Sequence, residues 1–151
     1  KRGVKFDVGH GGGSFWWFQA VPSVKNGFIA DSISTDLHIG SMNTGMKTMA
    51  NVMSKFLALG LPLADVVRKS TWEPARQIKR TDLGHLSVGA GADVAVFRLD
   101  KGEFGFLDIR GARNMGDQLL SCELTLRDGS VKWDLNGRAG TPWQEAQGST
   151  P

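Results

Sequence analysis

Two side chains of catalytic type stand where short runs of strand-forming residues end. His10 follows residues 4–9 and leads into a glycine-rich loop, and Asp36 follows residues 29–35. Enzymes built on barrels or open α/β sheets keep such side chains at the carboxyl ends of their parallel strands. The pattern therefore predicts that His10 and Asp36 lie at the same edge of a parallel sheet.

Asp36 has two interpretations from the residues alone. A carboxylate at a strand end can accept a proton from a water molecule bound to a metal ion, and it can also bind that ion. An aspartate in the same position can instead cap the loop or helix that follows. Asp36 is thus a candidate general base and metal ligand, with a capping role as the alternative.

The loop after His10 is a candidate for substrate binding. It contains the glycines Gly11, Gly12 and Gly13. Glycine lets backbone N–H groups approach a ligand closely, so this loop would hold a substrate carboxylate or stabilise an oxyanion. A tight turn between a strand and a helix explains the same glycines. His38 either lines the mouth of the site beside Asp36 or is exposed to solvent.

The elements that must position these side chains alternate between strand and helix through residues 1–80, which favours βα units around a parallel sheet. Apolar residues at three- and four-residue spacing precede Gly60, a typical residue after a helix end. Pro62 suits the first turn of another helix. The predicted helices are residues 14–25, 46–59, 62–70 and 70–78.

From Leu83 onward the apolar residues alternate with a period of two, which is typical of strands. An antiparallel region is expected from about residue 92, and Asp128 with Gly129 predicts a tight hairpin turn. The chain from Arg138 is expected to be frayed. The predicted strands are residues 93–97, 104–109, 119–126 and 130–133.

Composition excludes several classes of protein. The chain has 151 residues, 40% of them hydrophobic and 22% charged, with a formal net charge of +3. The basic residues are scattered, so neither a nucleic acid nor a membrane is an expected partner. A single cysteine, Cys122, excludes an internal disulfide, and it is expected to be a small buried hydrophobe. Without an apolar signal core, a cytoplasmic location is expected.

Three stretches carry a resemblance to a known family. They are Ser-Thr-Asp-Leu-His at 34–38, Ser-Thr-Trp-Glu-Pro-Ala at 70–75, and residues 83–96. In this order and spacing they resemble the amidohydrolase superfamily of metal-dependent hydrolases, in its dihydroorotase-like and deacetylase branch. The first resembles the end of the eighth barrel strand, and the second a Thr-x-Asn-Pro-Ala helix start with Glu73 replacing Asn. The third resembles the return into the small β-sandwich that accompanies the barrel.

The resemblance implies an α/β fold: the last two βα units of a TIM-type (β/α)8 barrel, followed by antiparallel strands of the small β-sandwich. The implied division is barrel at 1–81, sandwich at 82–137 and a flexible tail at 138–151. Asp36 would be the catalytic base and a metal ligand. His10 would lie on the seventh strand, away from the family's metal-binding histidines, and would face substrate or support the residues that do. A purely packed histidine and a direct bond to the metal are the alternatives. The implied substrate-binding residues are His10, Gly11, Gly12, Gly13 and His38.

The resemblance also implies an activity. The expected reaction is hydrolysis of an amide or ester bond in a small acylated or cyclic amide substrate, by water activated by one or two divalent metal ions, with zinc expected. The chain begins without Met and its first residues already form a predicted strand, so we expect a part of a larger enzyme that is inactive alone and need not bind a metal ion by itself. Its expected partners are a small-molecule substrate and either a second copy or the remainder of the barrel. The alternatives are a non-catalytic binding or structural module, and one half of a split barrel.

Overall fold

A pair of parallel strands with four helices precedes a three-stranded antiparallel sheet along the chain. The computed structural model describes residues 2–41 and 45–146. Its elements in chain order are β1 (Asp7–Gly9), α1 (Trp17–Lys25), β2 (Ser32–Ser34), α2 (Met49–Ala58), α3 (Leu63–Ser70), α4 (Trp72–Gln77), β3 (Val94–Leu107), β4 (Arg113–Arg127) and β5 (Ser130–Asp134).

The strands β1 and β2 are parallel neighbours, which confirms the predicted pairing. Asp7 lies opposite Ser32 and Gly9 lies opposite Ser34, so both strands end at the same edge of the sheet. Each strand has three residues and is shorter than the predicted run. Backbone pairing continues slightly beyond them at both ends, from the Asp31 N–H to the Phe6 carbonyl and from the Gly11 N–H to the Thr35 carbonyl.

Side chains alternate between the two faces of this small sheet. Val8 and Ile33 pack into the apolar core beside the helices. On the other face the Asp7 carboxylate accepts hydrogen bonds from Ser32 Oγ, at 2.5 Å, and from Ser34 Oγ. This is the period of two that a strand requires, with one apolar and one polar face.

The helices match the predictions most closely where a local signal marks their ends. Thr48 Oγ1 accepts a hydrogen bond from the Asn51 N–H at 3.2 Å and caps α2, which therefore begins three residues later than predicted. Gly60 follows that helix with a φ of +89°. The first helix also begins later, at Trp17. Within residues 2–41 and 45–146, no helix is long and apolar enough to span a membrane.

The antiparallel sheet has the order β3-β4-β5. Residues 93–97 and 104–109 were predicted as separate strands, but β3 is continuous because a register shift between Lys101 and Phe104 absorbs the irregular segment. The hairpin at Asp128 and Gly129 is confirmed, with φ of 49° and 74° at the two turn residues. The described strands form one layer here, so a second sheet facing it stays a prediction.

The start of the tail is attached to this sheet, and the flexible tail expected over residues 138–151 stays a prediction. The Arg138 and Ala139 N–H groups donate to the Asp134 carboxylate at 2.9 and 2.8 Å. Arg138 Nε donates to the buried carboxylate of Glu123 at 3.1 Å. Residues 147–151 lie outside the described part of the chain.

Cys122 is half-buried, whereas the sequence suggested a buried hydrophobe. Its Sγ lies 3.9 Å from the Leu124 carbonyl oxygen. Trp17 is buried, but Trp16 is only partly covered and lies beneath Arg110, whose guanidinium is 4.5 Å from the ring centre. Cys122 and Trp16 lie on partly exposed faces of the sheet and the helix region. The alternation of apolar residues in the sequence does not distinguish such half-buried positions from buried ones.

A shared core joins the helices to the antiparallel sheet. Ser54 Oγ accepts the Leu120 N–H at 2.9 Å, which fixes α2 against β4. Trp17 Nε1 donates to the Phe106 carbonyl at 3.0 Å, which fixes α1 against β3. The core therefore combines residues from both predicted parts of the chain: Phe15, Trp17, Ile33, Met46, Ala50, Val52, Met53, Phe56, Leu57, Leu61, Val66, Phe106 and Leu120.

Candidate active site at the strand ends

Asp36 lies at the shared carboxyl edge of β1 and β2, two residues after β2 ends. Its side chain is exposed and makes no hydrogen bond or ion pair with another residue of the described chain. Its φ of 49° is in the left-handed region, where aspartate is found more readily than most residues but at a cost in conformational energy. Surrounding contacts must therefore hold this backbone geometry.

Gly11 supplies the contact that places Asp36. The Gly11 N–H donates to the Thr35 carbonyl at 2.7 Å, immediately before Asp36. A Cβ atom at Gly11 would lie only 2.6 Å from Asp36 Oδ2, and the φ of Gly11 is +47°. The structure thus brings together two of the predicted site residues, Gly11 and Asp36, at one point.

The other loop residues are arranged around this point. The backbone of Gly12 lies against the turn at Ser41, where an added Cβ would be 3.4 Å from the Ser41 Cβ. Gly13 is exposed, with no neighbour within 4 Å of an added Cβ. His38 is exposed, and its Nδ1 accepts the Gly40 N–H at 3.1 Å, so this imidazole orders its own turn. Met42 lies outside the described residues.

His10 is buried behind the glycine loop. It has no exposed surface, and its ring stacks on Phe15 with ring centres 4.7 Å apart. Its Nδ1 lies 3.0 Å from the Gly11 carbonyl and its Nε2 lies 2.8 Å from Lys55 Nζ. Both ring nitrogens are thus engaged, which leaves none free for a substrate or a metal ion in this structure.

These partners define the tautomer of His10. A carbonyl oxygen only accepts, so Nδ1 must carry the hydrogen that it donates to Gly11. Nε2 is then an acceptor for the Lys55 ammonium group. Burial is the main cause that lowers the pKa of His10 below its ordinary value, so the ring is neutral, as this bonding pattern requires.

Lys55 is a residue of this site that the sequence analysis missed. It is fully buried within α2, and its Nζ donates to the Gly45 and Leu107 carbonyls at 2.6 Å each and to His10 Nε2. These three acceptors use all the hydrogens of an ammonium group. Burial lowers its pKa to about 8, so most molecules keep the charge at neutral pH. The available signal was a single lysine within the apolar run at residues 52–57.

Asp108 is a buried carboxylate next to this group. Its Oδ2 accepts the Trp17 N–H at 3.1 Å, and its Oδ1 accepts the N–H groups of Arg110 and Ala112 at 2.8 and 2.9 Å. Burial alone would raise the pKa of Asp108, but these hydrogen bonds and the charge of Lys55 together lower it. Asp108 therefore caps α1 from a distant part of the chain.

The donor chemistry fits a divalent cation at one position. Asp36 offers an exposed carboxylate oxygen, a donor that divalent ions accept. Across residues 2–41 and 45–146 there is no group of three or more His, Cys, Asp and Glu side chains able to hold a metal ion. Asp36 would thus supply one ligand, and the others would have to come from elsewhere.

Curated proteins similar to this chain are named deacetylases. Those from Brucella anthropi and Agrobacterium fabrum are each 38% identical over 110 residues, which is 73% of this chain and 27% of theirs. One from Enterococcus faecalis is 30% identical over 131 residues, or 86% of this chain and 36% of its own length. The chain therefore spans about a quarter to a third of these relatives.

Solved structures match the fold over nearly all of the chain. The crystal structure of an adenine deaminase superposes with a TM-score of 0.82 at 30% identity. That of a dihydroorotase gives 0.74 at 30% identity, and both matches cover 88% of this chain and 36% of the other. The family model for the amidohydrolase family matches residues 17–132, which include Asp36 and Lys55. The chain belongs to the amidohydrolase family.

Proposed function

We propose that this chain carries the general base of a metal-dependent hydrolase that cleaves an amide or ester bond in a small acylated or cyclic amide substrate. One observation carries the proposal: an exposed carboxylate, Asp36, is held against Gly11 at the shared carboxyl edge of two parallel strands. The names of the similar proteins, deacetylase and adenine deaminase, support chemistry at carbon–nitrogen or acyl bonds.

Members of this superfamily generally depend on divalent metal ions, and zinc is the ion we expect. A bound divalent ion would polarise the scissile carbonyl and lower the pKa of water. Asp36 would be one of its ligands. The same side chain transfers the proton: its carboxylate accepts the proton of the attacking water and returns it to the leaving amine or alcohol.

Substrate orientation is assigned to the glycine loop. The Gly11 N–H is occupied by Thr35, whereas those of Gly12 and Gly13 have no acceptor in the described part of the chain. These two N–H groups are the donors available for a substrate carboxylate or a developing oxyanion. His38 borders the same rim. His10 then acts behind the loop, through the carbonyl of Gly11.

The remaining barrel strands and metal ligands are assigned to the rest of the protein or to another copy. A closed barrel needs about eight strands, and β1 with β2 supplies two. The expected division at residues 81 and 137 belongs to the same proposal.

The test is Asp36→Asn in the full-length protein that contains this chain, assayed with N-acetyl amino acids. The variant keeps the size of the side chain but loses the proton acceptor, so kcat should fall by about 100-fold or more while most of the metal stays bound. Elemental analysis measures the metal. Asp65→Asn, the same change at an exposed position of α3, should leave kcat unchanged. Near-normal turnover of Asp36→Asn at saturating substrate would leave the capping role of Asp36 as the better interpretation.

A further inference from the structure

The burial of Lys55 requires an explanation that the core alone does not give. An ammonium group without exposed surface is costly unless it is paired with a carboxylate or fully hydrogen-bonded. In the described part of the chain, Lys55 has no carboxylate within ion-pair distance, and its partners are two carbonyls and an imidazole. Three acceptors and the nearby charge of Asp108 stabilise the buried amine, and the amine in turn holds each of those three acceptors in place.

Lys55 joins three segments that are far apart in the chain. Gly45 belongs to the loop before α2, Leu107 is the last residue of β3, and His10 follows β1. The loop at Gly45 is packed so closely that a Cβ there would lie 2.3 Å from the Asp108 carbonyl oxygen. The hydrogen bonds to Gly45 and Leu107 therefore fix the position of the Lys55 amine independently of its contact with His10.

The contacts continue from His10 to the candidate base. Because Nε2 accepts from Lys55, Nδ1 carries the hydrogen that bonds the Gly11 carbonyl at 3.0 Å. The same Gly11 residue donates its N–H to Thr35, and the carboxylate of Asp36 lies against its Cα. Gly11 is thus held at both its carbonyl and its N–H, directly beside the left-handed backbone of Asp36.

We propose that Lys55 is a positioning residue for Asp36, acting through His10 and the backbone of Gly11. Lys55 fixes the tautomer and the orientation of the imidazole, the imidazole fixes the Gly11 carbonyl, and Gly11 limits where the Asp36 carboxylate lies. The inference rests on the proposed role of Asp36 as general base. It adds that residues of α2 and of the end of β3 determine where the Asp36 carboxylate lies.

The first test is Lys55→Met in the full-length protein, assayed with the N-acetyl amino acid that the wild type hydrolyses fastest. Small displacements of a reacting group reduce turnover strongly, so kcat should fall by about 10- to 100-fold. KM and the bound metal should change less than about twofold, since Lys55 contacts neither substrate nor metal. The matched control is Ser54→Ala, which removes a buried hydrogen bond between α2 and β4 one residue away. It should lower thermal stability with little change in kcat.

A second readout does not depend on activity. Nitrogen-15 NMR of the histidines should show His10 with a protonated Nδ1 and an unprotonated Nε2, and Lys55→Met should shift the Nε2 resonance. His10→Gln provides a second variant if Lys55→Met does not fold. A glutamine amide can replace the Nε2 contact with Lys55 but not the Nδ1 bond to Gly11, so its kcat should fall by a similar factor.

Combination with Asp36→Asn separates positioning from general damage. If Lys55 acts through Asp36, Lys55→Met in the Asp36→Asn background should lower the residual kcat by less than about twofold. Additive losses, an equal loss in Ser54→Ala, or normal kcat in both Lys55→Met and His10→Gln would overturn the inference while leaving the role of Asp36 intact. Normal kcat in Asp36→Asn would instead overturn the proposed function, and the positioning role with it.

Discussion

Gly11 is the residue of the site with the least freedom to change. Its backbone is left-handed, with a φ of +47°, and an added Cβ would lie 2.6 Å from Asp36 Oδ2. The left-handed conformation costs a residue with a side chain roughly 1–2 kcal/mol. A side chain at position 11 would also displace the Asp36 carboxylate. A substitution of Gly11 therefore affects both the stability of the fold and the geometry of the site.

Gly11→Ala in the full-length protein should therefore lower kcat by about 100-fold and reduce the free energy of unfolding by about 1–2 kcal/mol. Steady-state kinetics and thermal unfolding measure the two effects. Gly91→Ala is the control, because Gly91 has an ordinary backbone and no atom within 4 Å of an added Cβ. Unchanged kcat in Gly11→Ala would show that Asp36 tolerates displacement and is not the geometrically restricted base proposed here.

Among single residues, the position of Asp36 at the strand edge was predictable from the sequence and the burial of Lys55 was not, and the reason is physical. The placement of Asp36 follows from local signals, a strand and the polar residue that ends it, and parallel pairing brings it to the glycine loop. Lys55 is explained by acceptors at Gly45 and Leu107, the latter 52 residues away. The apolar run around Lys55 marks the position as unusual for a lysine, but no local pattern identifies these distant acceptors. Full burial of His10 depends on the same distant contacts.

Among the elements, α1 shows how two parts of the chain are fastened to each other. Its first N–H groups need acceptors, and its preceding residue, Trp16, provides no side-chain cap. The acceptor for the Trp17 N–H is Asp108, 91 residues later, just after β3 ends. The orientation of α1 on the sheet therefore depends on this carboxylate together with the bond from Trp17 Nε1 to the Phe106 carbonyl.

Asp108→Asn should destabilise the full-length protein by about 1.5–3 kcal/mol at pH 7, because hydrogen bonds to a charged acceptor are lost or weakened. The pKa of Asp108 is lower in the folded chain than its ordinary value of 3.8. Its contribution is therefore fully present above about pH 4 and is lost as the pH falls through the folded-state pKa. The variant should lose less stability than wild type on acidification below pH 4.

Denaturant unfolding at pH 7 and at several values between pH 4 and 2 measures this difference. Asp117→Asn, the same change at an exposed residue of β4, is the control and should behave as wild type at each pH. Parallel stability curves for wild type and Asp108→Asn across this range would contradict the assigned pKa shift.

Element boundaries were predictable where a residue encodes them and not where a distant contact decides them. Gly60 and the Asp128–Gly129 turn mark their boundaries with backbone angles that glycine favours, and both are found as predicted. The two predicted strands join into β3 because twelve of the fifteen residues of β4 pair along its length. Periodicity within residues 93–109 contains no information about that partner.

For the whole molecule, the chain presents more apolar surface than a molecule of this size needs to expose. Val4, Phe6, Phe28 and Ile39 are 62%, 49%, 51% and 92% exposed, all in the part built on β1 and β2. An apolar groove between α2 and the antiparallel sheet adds the faces of Phe97, Leu119, Trp133 and Leu135. The two-stranded sheet also has strand edges without partners in the described chain.

Residues 1–151 expressed alone should therefore bind a hydrophobic dye and either aggregate or self-associate, since contiguous apolar surface is otherwise uncommon on monomers. The full-length protein should show weak dye fluorescence, because its remaining strands would cover the same surface. Dye titration and analytical ultracentrifugation, at equal protein concentrations, measure both properties. A monomeric fragment that binds no dye and unfolds in one sharp transition would count against the barrel-fragment interpretation. It would instead favour an independent module, in which the edge of β1 and β2 is a finished surface.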